Sequence, residues 1–202
     1  MSTNHLSSAQ ALRKLRILHV VDSFDIGGTE TQMAQIASLL AQRGHFVTVA
    51  PHRSGGPLEA PLRKAGVRIV EFPKRRRLLS FQGILQMMRL ARFIRREKFD
   101  AVHAHDLWSN LMAIPAARVA GAPVILCSQR NLAHIPWYTL FRRRVVRFLY
   151  ALSDGVIVNS GAIRDLLVRE FHVPPEHVHL LHNGVDSDRF VNARANREEI
   201  LP

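Results

Sequence analysis

The chain has 202 residues, a length that fits one domain or at most two small ones. Apolar residues make up 47% and charged residues 22%, which excludes a disordered chain, a collagen-like repeat and a disulfide-stapled mini-protein. The single cysteine, Cys127, cannot form an internal disulfide, so the fold must depend on its core, and a reducing cytosol is the expected location.

The net charge of +12 is the unusual quantity. Only four of the 28 basic residues are lysines, and this arginine bias is explained either by the codon usage of a GC-rich genome or by an anionic partner. No apolar run approaches the ~18 residues that span a bilayer. The polar N-terminus also lacks the apolar segment of a secretory signal. We therefore expect a cytoplasmic protein, either free or at the inner face of the cytoplasmic membrane.

Apolar strand-like runs alternate with helical patterns along the chain. This alternation predicts an α/β, doubly wound, Rossmann-like fold with a parallel sheet of about seven strands and helices on both faces. The predicted strands are 15–21, 46–50, 67–72, 101–105, 123–127, 155–159 and 178–182. The predicted helices are 29–43, 58–65, 81–96, 107–120, 137–152 and 162–171. The domain would occupy residues 15–190, between a polar tail at 1–14 and a short tail at 191–202.

A pair of glycines lies between the first strand and the first helix. Gly27 and Gly28 would let a ligand approach the backbone closely, and the N–H groups at the start of the next helix would face a phosphate. The segment has neither GxGxxG nor GK[ST], so it is neither a dinucleotide fingerprint nor a Walker A loop. Taken alone, a pair of glycines is more often only a turn.

Two histidines end the fourth predicted strand. Alternation places His103 and His105 on one face, and His105 lies at the carboxyl end, the edge where open α/β sheets bind ligands. Zinc needs a third ligand, and none has suitable spacing in the sequence, so we predict no metal site. We favour a hydrogen-bonding or acid–base role for His105 and a core role for His103.

A further candidate, Arg130, follows the fifth predicted strand. At this position a guanidinium group can bind a phosphate or a carboxylate through two parallel hydrogen bonds. An ordinary surface arginine in a loop is the alternative.

Two segments combine arginines and apolar residues densely. In the third helix the arginines fall within an arc of about 120°, opposite an apolar arc. The candidate membrane-contact residues are Arg89, Arg92, Arg95 and Arg96 of this helix and Arg142, Arg143 and Arg144 of the second segment. Basic amphipathic helices bind anionic membrane surfaces, but a helix packed on a sheet with a solvated charged face has the same pattern. Nucleic acid is not an expected partner, because the sequence has no helix-turn-helix, zinc or RNA-binding pattern.

Four short segments occur in an order typical of one family. They are Gly27–Glu30, His103–Asp106, Val156–Ser160 and Asn183–Asp186. Across residues 15–190 they resemble the N-terminal domain of family 4 glycosyltransferases, which are retaining enzymes of the GT-B fold. The resemblance implies two Rossmann-like domains facing a cleft, with the acceptor on the N-terminal domain and a nucleotide sugar on the other.

The resemblance also implies roles for individual residues. It implies that Gly27 and Gly28 approach the donor diphosphate or the acceptor and that His105 reaches the transferred sugar. It places Asn183 and Gly184 at a substrate-binding turn where the chain crosses into the second domain. It implies no metal and no other cofactor, because arginines, lysines and helix dipoles can neutralise the departing diphosphate.

Family members also carry two glutamates eight positions apart that bind the donor, and no two glutamates of this chain have that spacing. We therefore expect the acceptor-binding half of a retaining glycosyltransferase, which transfers a sugar from a nucleotide-sugar donor to a hydroxyl acceptor, lipid-linked or not. The donor-binding half would be a missing C-terminal domain or a partner chain. The chain would then be a fragment, a truncated gene product or one component of a split enzyme. The alternative is a non-catalytic Rossmann-like module that docks on an anionic membrane or on a partner protein.

Overall fold

The structure is a computed structural model that describes residues 13–73, 80–130 and 140–184, except for the side chains of 140–142. It contains one parallel sheet in the order β3-β2-β1-β4-β5-β6-β7. The strands are β1 (Arg16–Val21), β2 (Phe46–Pro51), β3 (Arg68–Ile69), β4 (Ala101–Ala104), β5 (Val124–Gln129), β6 (Gly155–Val158) and β7 (Val178–Leu180). The predicted α/β, seven-stranded parallel architecture is confirmed.

The helices connect successive strands. They are α1 (Gly28–Gln42), α2 (Glu59–Lys64), α3 (Phe81–Glu97), α4 (Leu107–Ala120), α5 (Leu140–Leu152) and α6 (Gly161–Arg169), with a short 3-10 turn at Pro175–His177 before β7. Ser80, Asp106 and Ser160 cap α3, α4 and α6, because each side-chain oxygen accepts the N–H three residues further on. Gly121 ends α4 with a φ of 73°, a left-handed conformation that favours glycine.

The sheet separates two apolar cores. Alternate residues of β1 point to opposite faces, so Leu18 and Val20 join one core while Val21 joins the other. The larger core packs α3, α4, α5 and α6 against the sheet, and the smaller one packs α1 and α2. The two helical layers confirm the doubly wound arrangement.

Several predicted boundaries differ from the structure by a few residues. The third strand is shorter than predicted, with two residues in place of 67–72. Backbone bonds still continue beyond it, from Val70 N–H to Val49 O (3.0 Å) and from Phe72 N–H to Pro51 O (2.9 Å). A short strand at the sheet edge limits pairing with other chains. The start of the predicted helix at 137 and most of both predicted tails lie outside the described residues.

The strand order reverses between β1 and β4. From β1 the chain continues to β2 on one side, and β4 lies on the other side, so the crevice at their carboxyl ends is the topological switch point. The glycine pair follows β1 and His105 follows β4, so both candidates lie at this crevice. Within the described residues, no helix is long and apolar enough to cross a membrane.

Candidate functional site

The loops after β1 and β4 are joined by hydrogen bonds at the switch point. Asp106 accepts the N–H of Asp22 through Oδ2 at 3.0 Å, and its two carboxylate oxygens also bind the N–H (2.9 Å) and the hydroxyl (2.6 Å) of Ser109. Beside it, His105 N–H donates to Val20 O at 3.0 Å. Asp106 therefore holds the two loops together and begins α4, and the backbone at His105 is fixed by β1.

The glycine pair forms the start of α1. Gly27 is the extended N-cap and offers no side-chain cap, and its carbonyl accepts the N–H of Thr31 at 2.9 Å. A Cβ on Gly27 would meet the carboxylate of Glu30, the far end of a flexible side chain that can move aside. A Cβ on Gly28 would meet nothing within 4 Å. Gly28 therefore leaves open space beside the N-terminus of α1.

His103 and His105 belong to a cluster of three buried histidines. His19 on β1 pairs in register with His103 on β4, and the Nδ1 of His19 lies 2.8 Å from the Nε2 of His105. The rings of His103 and His105 lie 3.9 Å apart between centroids, which confirms that the two side chains share one face. The Nε2 of His103 lies 2.8 Å from the Ser128 hydroxyl, as expected for a core histidine with a polar partner.

The sequence shows no third ligand with suitable spacing, but the fold brings a third histidine beside the pair. His19, His103 and His105 each offer a nitrogen within 4.8 Å of the others, a grouping that could hold a cation. The sequence pattern missed His19 because it lies 84 residues before His103, and only the register of β1 with β4 brings them together. Its position on the same face could have been found from strand alternation once the strand order was known.

Burial keeps the histidine cluster neutral. It lowers the pKa of His19 to about 4, because a charged ring there would lose its hydration. Burial also lowers the pKa values of His103 and His105 well below the usual range, with further lowering by neighbouring histidines and by Arg130. The positive charge of Arg130 therefore makes it less favourable for the histidine cluster to take up a further positive charge, whether a proton or a metal ion.

Three of the predicted residues meet at the carboxyl edge of the sheet. Arg130 donates from Nη1 to the Oδ1 of Asn183 at 3.0 Å. Gln32 on α1 clamps Gly184, because its Nε2 donates to Gly184 O (2.9 Å) and its Oε1 accepts Gly184 N–H (3.1 Å). The segment 183–184 is thus tied both to the loop after β5 and to the helix that follows the glycine pair.

Several buried polar atoms near this edge have no hydrogen-bond partner among the described residues. They are the Nε of Arg130, the Oδ1 of Asn110 and of Asn159, the Nε2 of His19 and the Nδ1 of His105. Arg130 lies one position beyond the last β5 pair and Asn159 one position beyond the last β6 pair, so both lie just past the carboxyl ends of neighbouring strands. The predicted site residues did not include Gln32, Asn110 or Asn159, although Asn159 lies in the Val156–Ser160 segment that carries the family resemblance.

The predicted basic residues fall into two groups. Arg89, Arg92, Arg95 and Arg96 are all exposed on α3, opposite the buried Leu90, Ala91 and Ile94. In α5, Arg144 is exposed. Arg143 is only partly exposed, pairs with Glu170 (3.2 Å) and lies over the Phe171 ring, which makes it a weaker candidate for membrane contact than Arg96, which pairs with Glu97 (3.2 Å) but stays exposed. The side chain of Arg142 lies outside the described residues.

Comparison with known proteins identifies the class of the chain. The fold is similar to one half of a crystal structure of Anabaena Alr3699/HepE in complex with UDP, with a TM-score of 0.74 and 17% identity over 92% of this chain and 50% of that one. A similar match, with a TM-score of 0.61 and 14% identity, is to the lipopolysaccharide outer core galactosyltransferase WaaB, covering 85% of this chain and 46% of that one. The chain therefore has the fold of one Rossmann-like half of a GT-B protein.

The sequence comparison identifies the family. The model of Glycosyltransferase Family 4 matches residues 26–189, and the chain therefore belongs to this family. It is 27% identical over 184 residues to a phosphatidylinositol N-acetylglucosaminyltransferase component of Arabidopsis thaliana, covering 88% of this chain and 41% of that protein. It is 24% identical over 200 residues to the UDP-Gal:alpha-D-GlcNAc-diphosphoundecaprenol alpha-1,3-galactosyltransferase of Escherichia coli, covering 93% and 50%. The chain spans about half the length of the curated relatives it matches.

Proposed function

We propose that this chain is the acceptor-binding half of a retaining glycosyltransferase, which transfers a sugar from a nucleotide-sugar donor to a hydroxyl acceptor. The observation that carries the proposal is the convergence of the predicted residues at one sheet edge. Gly28, His105 and Arg130 follow β1, β4 and β5, and the segment 183–184 is bonded to this edge through Arg130 and Gln32. Family membership supports the same reaction class.

The chemistry of this edge suits an acceptor with both hydroxyl and anionic groups. Arg130 keeps its charge even though burial lowers its pKa, and its Nε–H remains available to an anion. The free Nδ1 of His105 can bind a sugar hydroxyl. Since His105 is only 1% exposed, the surrounding residues must rearrange when a sugar reaches it. The donor would be bound by a second half, on another domain or a partner chain.

The names of the relatives support a lipid-linked acceptor and a uridine donor. The Escherichia coli relative is named for a diphosphoundecaprenol-linked sugar and UDP-Gal, and the Arabidopsis thaliana relative for phosphatidylinositol. The Anabaena structure contains UDP. A phosphate in the acceptor would give Arg130 a partner. On this proposal the enzyme works at the cytoplasmic face of a membrane.

Replacing Gly28 with alanine tests the proposed ligand approach at α1. The added methyl group has open space and alanine favours helix, so the chain should keep or gain up to about 1 kcal/mol of stability. In a two-domain enzyme made by joining this chain to a family 4 donor half, the same methyl group should obstruct the substrate and lower kcat/KM about tenfold or more. Denaturant unfolding and initial-rate kinetics measure the two effects.

The matched control is Gly161→Ala. Gly161 is also the first residue of a helix, and a Cβ there also meets nothing within 4 Å, but it follows β6 rather than β1. We expect it to keep or gain stability as Gly28→Ala does, and to keep wild-type transfer. Equal kcat/KM values for the wild type and Gly28→Ala would exclude close approach at this glycine.

A second function, docking on an anionic membrane, is favoured by the surface of α3. Large apolar side chains lie exposed beside the arginines, namely Phe81, Ile84, Leu85 and Met88, with Phe81 81% exposed. The groove there is lined by Leu85, Met88, Arg89, Arg92 and Arg95. Exposed apolar groups next to cationic ones fit a surface with acyl chains and anionic headgroups.

Changing Arg89, Arg92, Arg95 and Arg96 together to glutamine should abolish this docking. Each arginine near an anionic surface contributes about 1 kcal/mol, so all four would contribute roughly 4 kcal/mol if each reaches it. Co-sedimentation with phosphatidylglycerol-rich vesicles should show strong binding of the wild type at low salt. Binding should fall steeply as salt rises, because the Debye length falls to about 8 Å at physiological ionic strength.

A variant with the same charge change elsewhere controls for net charge. Arg43, Arg63, Arg164 and Arg169 are exposed and lie away from α3, and their replacement by glutamine should retain most of the binding. Docking through α3 would be excluded if the wild type and the α3 variant sediment equally, or if the wild type does not bind at low salt. The arginines of α3 would then form only a solvated charged face.

A further inference from the structure

The pair of His19 and His105 is built across the switch point of the sheet. Its two rings come from β1 and the end of β4, and each ring is only 1% exposed. The Nδ1 of His19 and the Nε2 of His105 lie 2.8 Å apart, a normal hydrogen-bond distance between nitrogens. The bond therefore fixes one nitrogen of His105 and leaves the other, Nδ1, without a partner.

The protonation state of the pair follows from its burial. Both pKa values are lowered, that of His19 to about 4, so both rings are neutral near pH 7. Two neutral imidazoles carry two protons on four nitrogens, and the bond between them uses one. One ring donates its proton in this bond and the other ring accepts it. The accepting ring carries its own proton on its second nitrogen, which faces away from the bond. Consequently the Nδ1 of His105 and the Nε2 of His19 always have opposite roles, one as donor and one as acceptor.

A metal ion is the competing occupant of the same cluster. His103 already directs its Nε2 to the Ser128 hydroxyl, and within the described part of the chain no carboxylate belongs to the group. Arg130 contributes a positive charge that already disfavours the charged forms of His103 and His105. A divalent cation would add charge to this field, and the described residues place no anionic ligand there to offset it. The observed arrangement fits a direct bond between rings better than ligation.

We propose that His19 is a positioning residue for His105, holding its Nε2 so that Nδ1 is presented to a substrate hydroxyl. The bond to His19 fixes the tautomer of His105, and because a hydroxyl group both donates and accepts, it can match Nδ1 in that tautomer. The inference rests on the proposed glycosyltransferase function, since that function supplies the sugar hydroxyl. His103 packs against the pair without joining the bond.

Two substitutions at His19 separate positioning from structural support. His19→Leu has similar bulk and removes the bond; it removes the unpartnered Nε2 of His19 but leaves the Nε2 of His105 unpartnered instead, so the fold should be kept without a gain in stability. His19→Asn places an amide close to the position of Nδ1 and can restore the bond. In the two-domain enzyme we expect His19→Leu to lower kcat about ten- to a hundredfold with little change in KM, and His19→Asn to restore it within about threefold.

A spectroscopic readout on the 202-residue chain does not depend on activity. Long-range nitrogen–proton NMR correlations report which nitrogen of each histidine carries the proton. We expect one fixed tautomer of His105 in the wild type and in His19→Asn, and a changed or mixed one in His19→Leu. The same samples are titrated with Zn²⁺.

The outcomes distinguish failure of this inference from failure of the proposed function. An unchanged His105 tautomer in His19→Leu, wild-type kcat in that variant, or one Zn²⁺ bound per chain in a His19-dependent manner would each overturn the positioning role. If the wild-type two-domain enzyme transfers no sugar, the proposed function fails, while the NMR result still decides whether His19 sets the tautomer of His105.

Discussion

In a two-domain enzyme built on this chain, His105→Ala should lower kcat by about two to three orders of magnitude. Removing a positioned hydrogen bond to a group that develops charge typically raises the barrier by about 2.7–4 kcal/mol. His105 offers such a bond from Nδ1, at the carboxyl end of β4 and beside the crevice between β1 and β4. Initial-rate kinetics across donor and acceptor concentrations measure the effect, and KM should change less than kcat.

His103→Ala is the matched comparison, since it removes the same side chain two residues earlier. Its Nε2 lies 2.8 Å from the Ser128 hydroxyl, so we expect a loss of stability larger than the loss of turnover. The assignment of His105 fails if both variants lose turnover equally after correction for the folded fraction, or if His105→Ala retains wild-type turnover.

Cys127 in the native 202-residue chain should react with a thiol reagent at least about a hundredfold more slowly than in the unfolded chain. The side chain is fully buried on β5, and its Sγ lies 3.5 Å from the Ser153 hydroxyl. Burial raises the pKa of the thiol to about 12, so the reactive thiolate is scarce near pH 8. Both its low accessibility and its low thiolate content slow the reaction.

Labelling kinetics with and without denaturant check that the chain folds by itself. Cys127 is the only cysteine, so the signal has one source. The unfolded chain supplies the reference rate in each experiment. Equal rates in buffer and in denaturant would show that the chain does not form the β5 core without a second half.

The architecture could be predicted from local sequence patterns because each element carries its own signals. The buried strands are continuous apolar runs, and the caps at Ser160 and Gly121 are residue types that favour helix ends. The predicted boundaries were less accurate where an element ends because strand pairing stops and not because the type of residue changes. At the sheet edge, β3 keeps only two of the six predicted residues, although its backbone bonds continue to Phe72.

The site was predicted only in part, because its missing members depend on contacts between distant segments. Gly28, His105 and Arg130 follow strands, so their common edge could be inferred. His19 lies within a strand that looks purely structural, and only pairing with β4 gives it a partner in His105. Gln32 gains its role from Gly184, 152 residues away along the chain. No local spacing encodes such contacts.

The most direct test of the proposed half-enzyme compares sugar transfer by the 202-residue chain alone with transfer after a family 4 donor-binding half is joined to it. Both proteins are incubated with UDP-sugars and a polyprenyl-diphosphate-linked sugar acceptor, and the product is measured by mass spectrometry. We expect no transfer by the chain alone, because it lacks the two glutamates, eight positions apart, that the family resemblance assigns to donor binding. Transfer should appear in the joined protein with the anomeric configuration retained. Robust turnover by the verified monomeric chain alone would contradict the proposal.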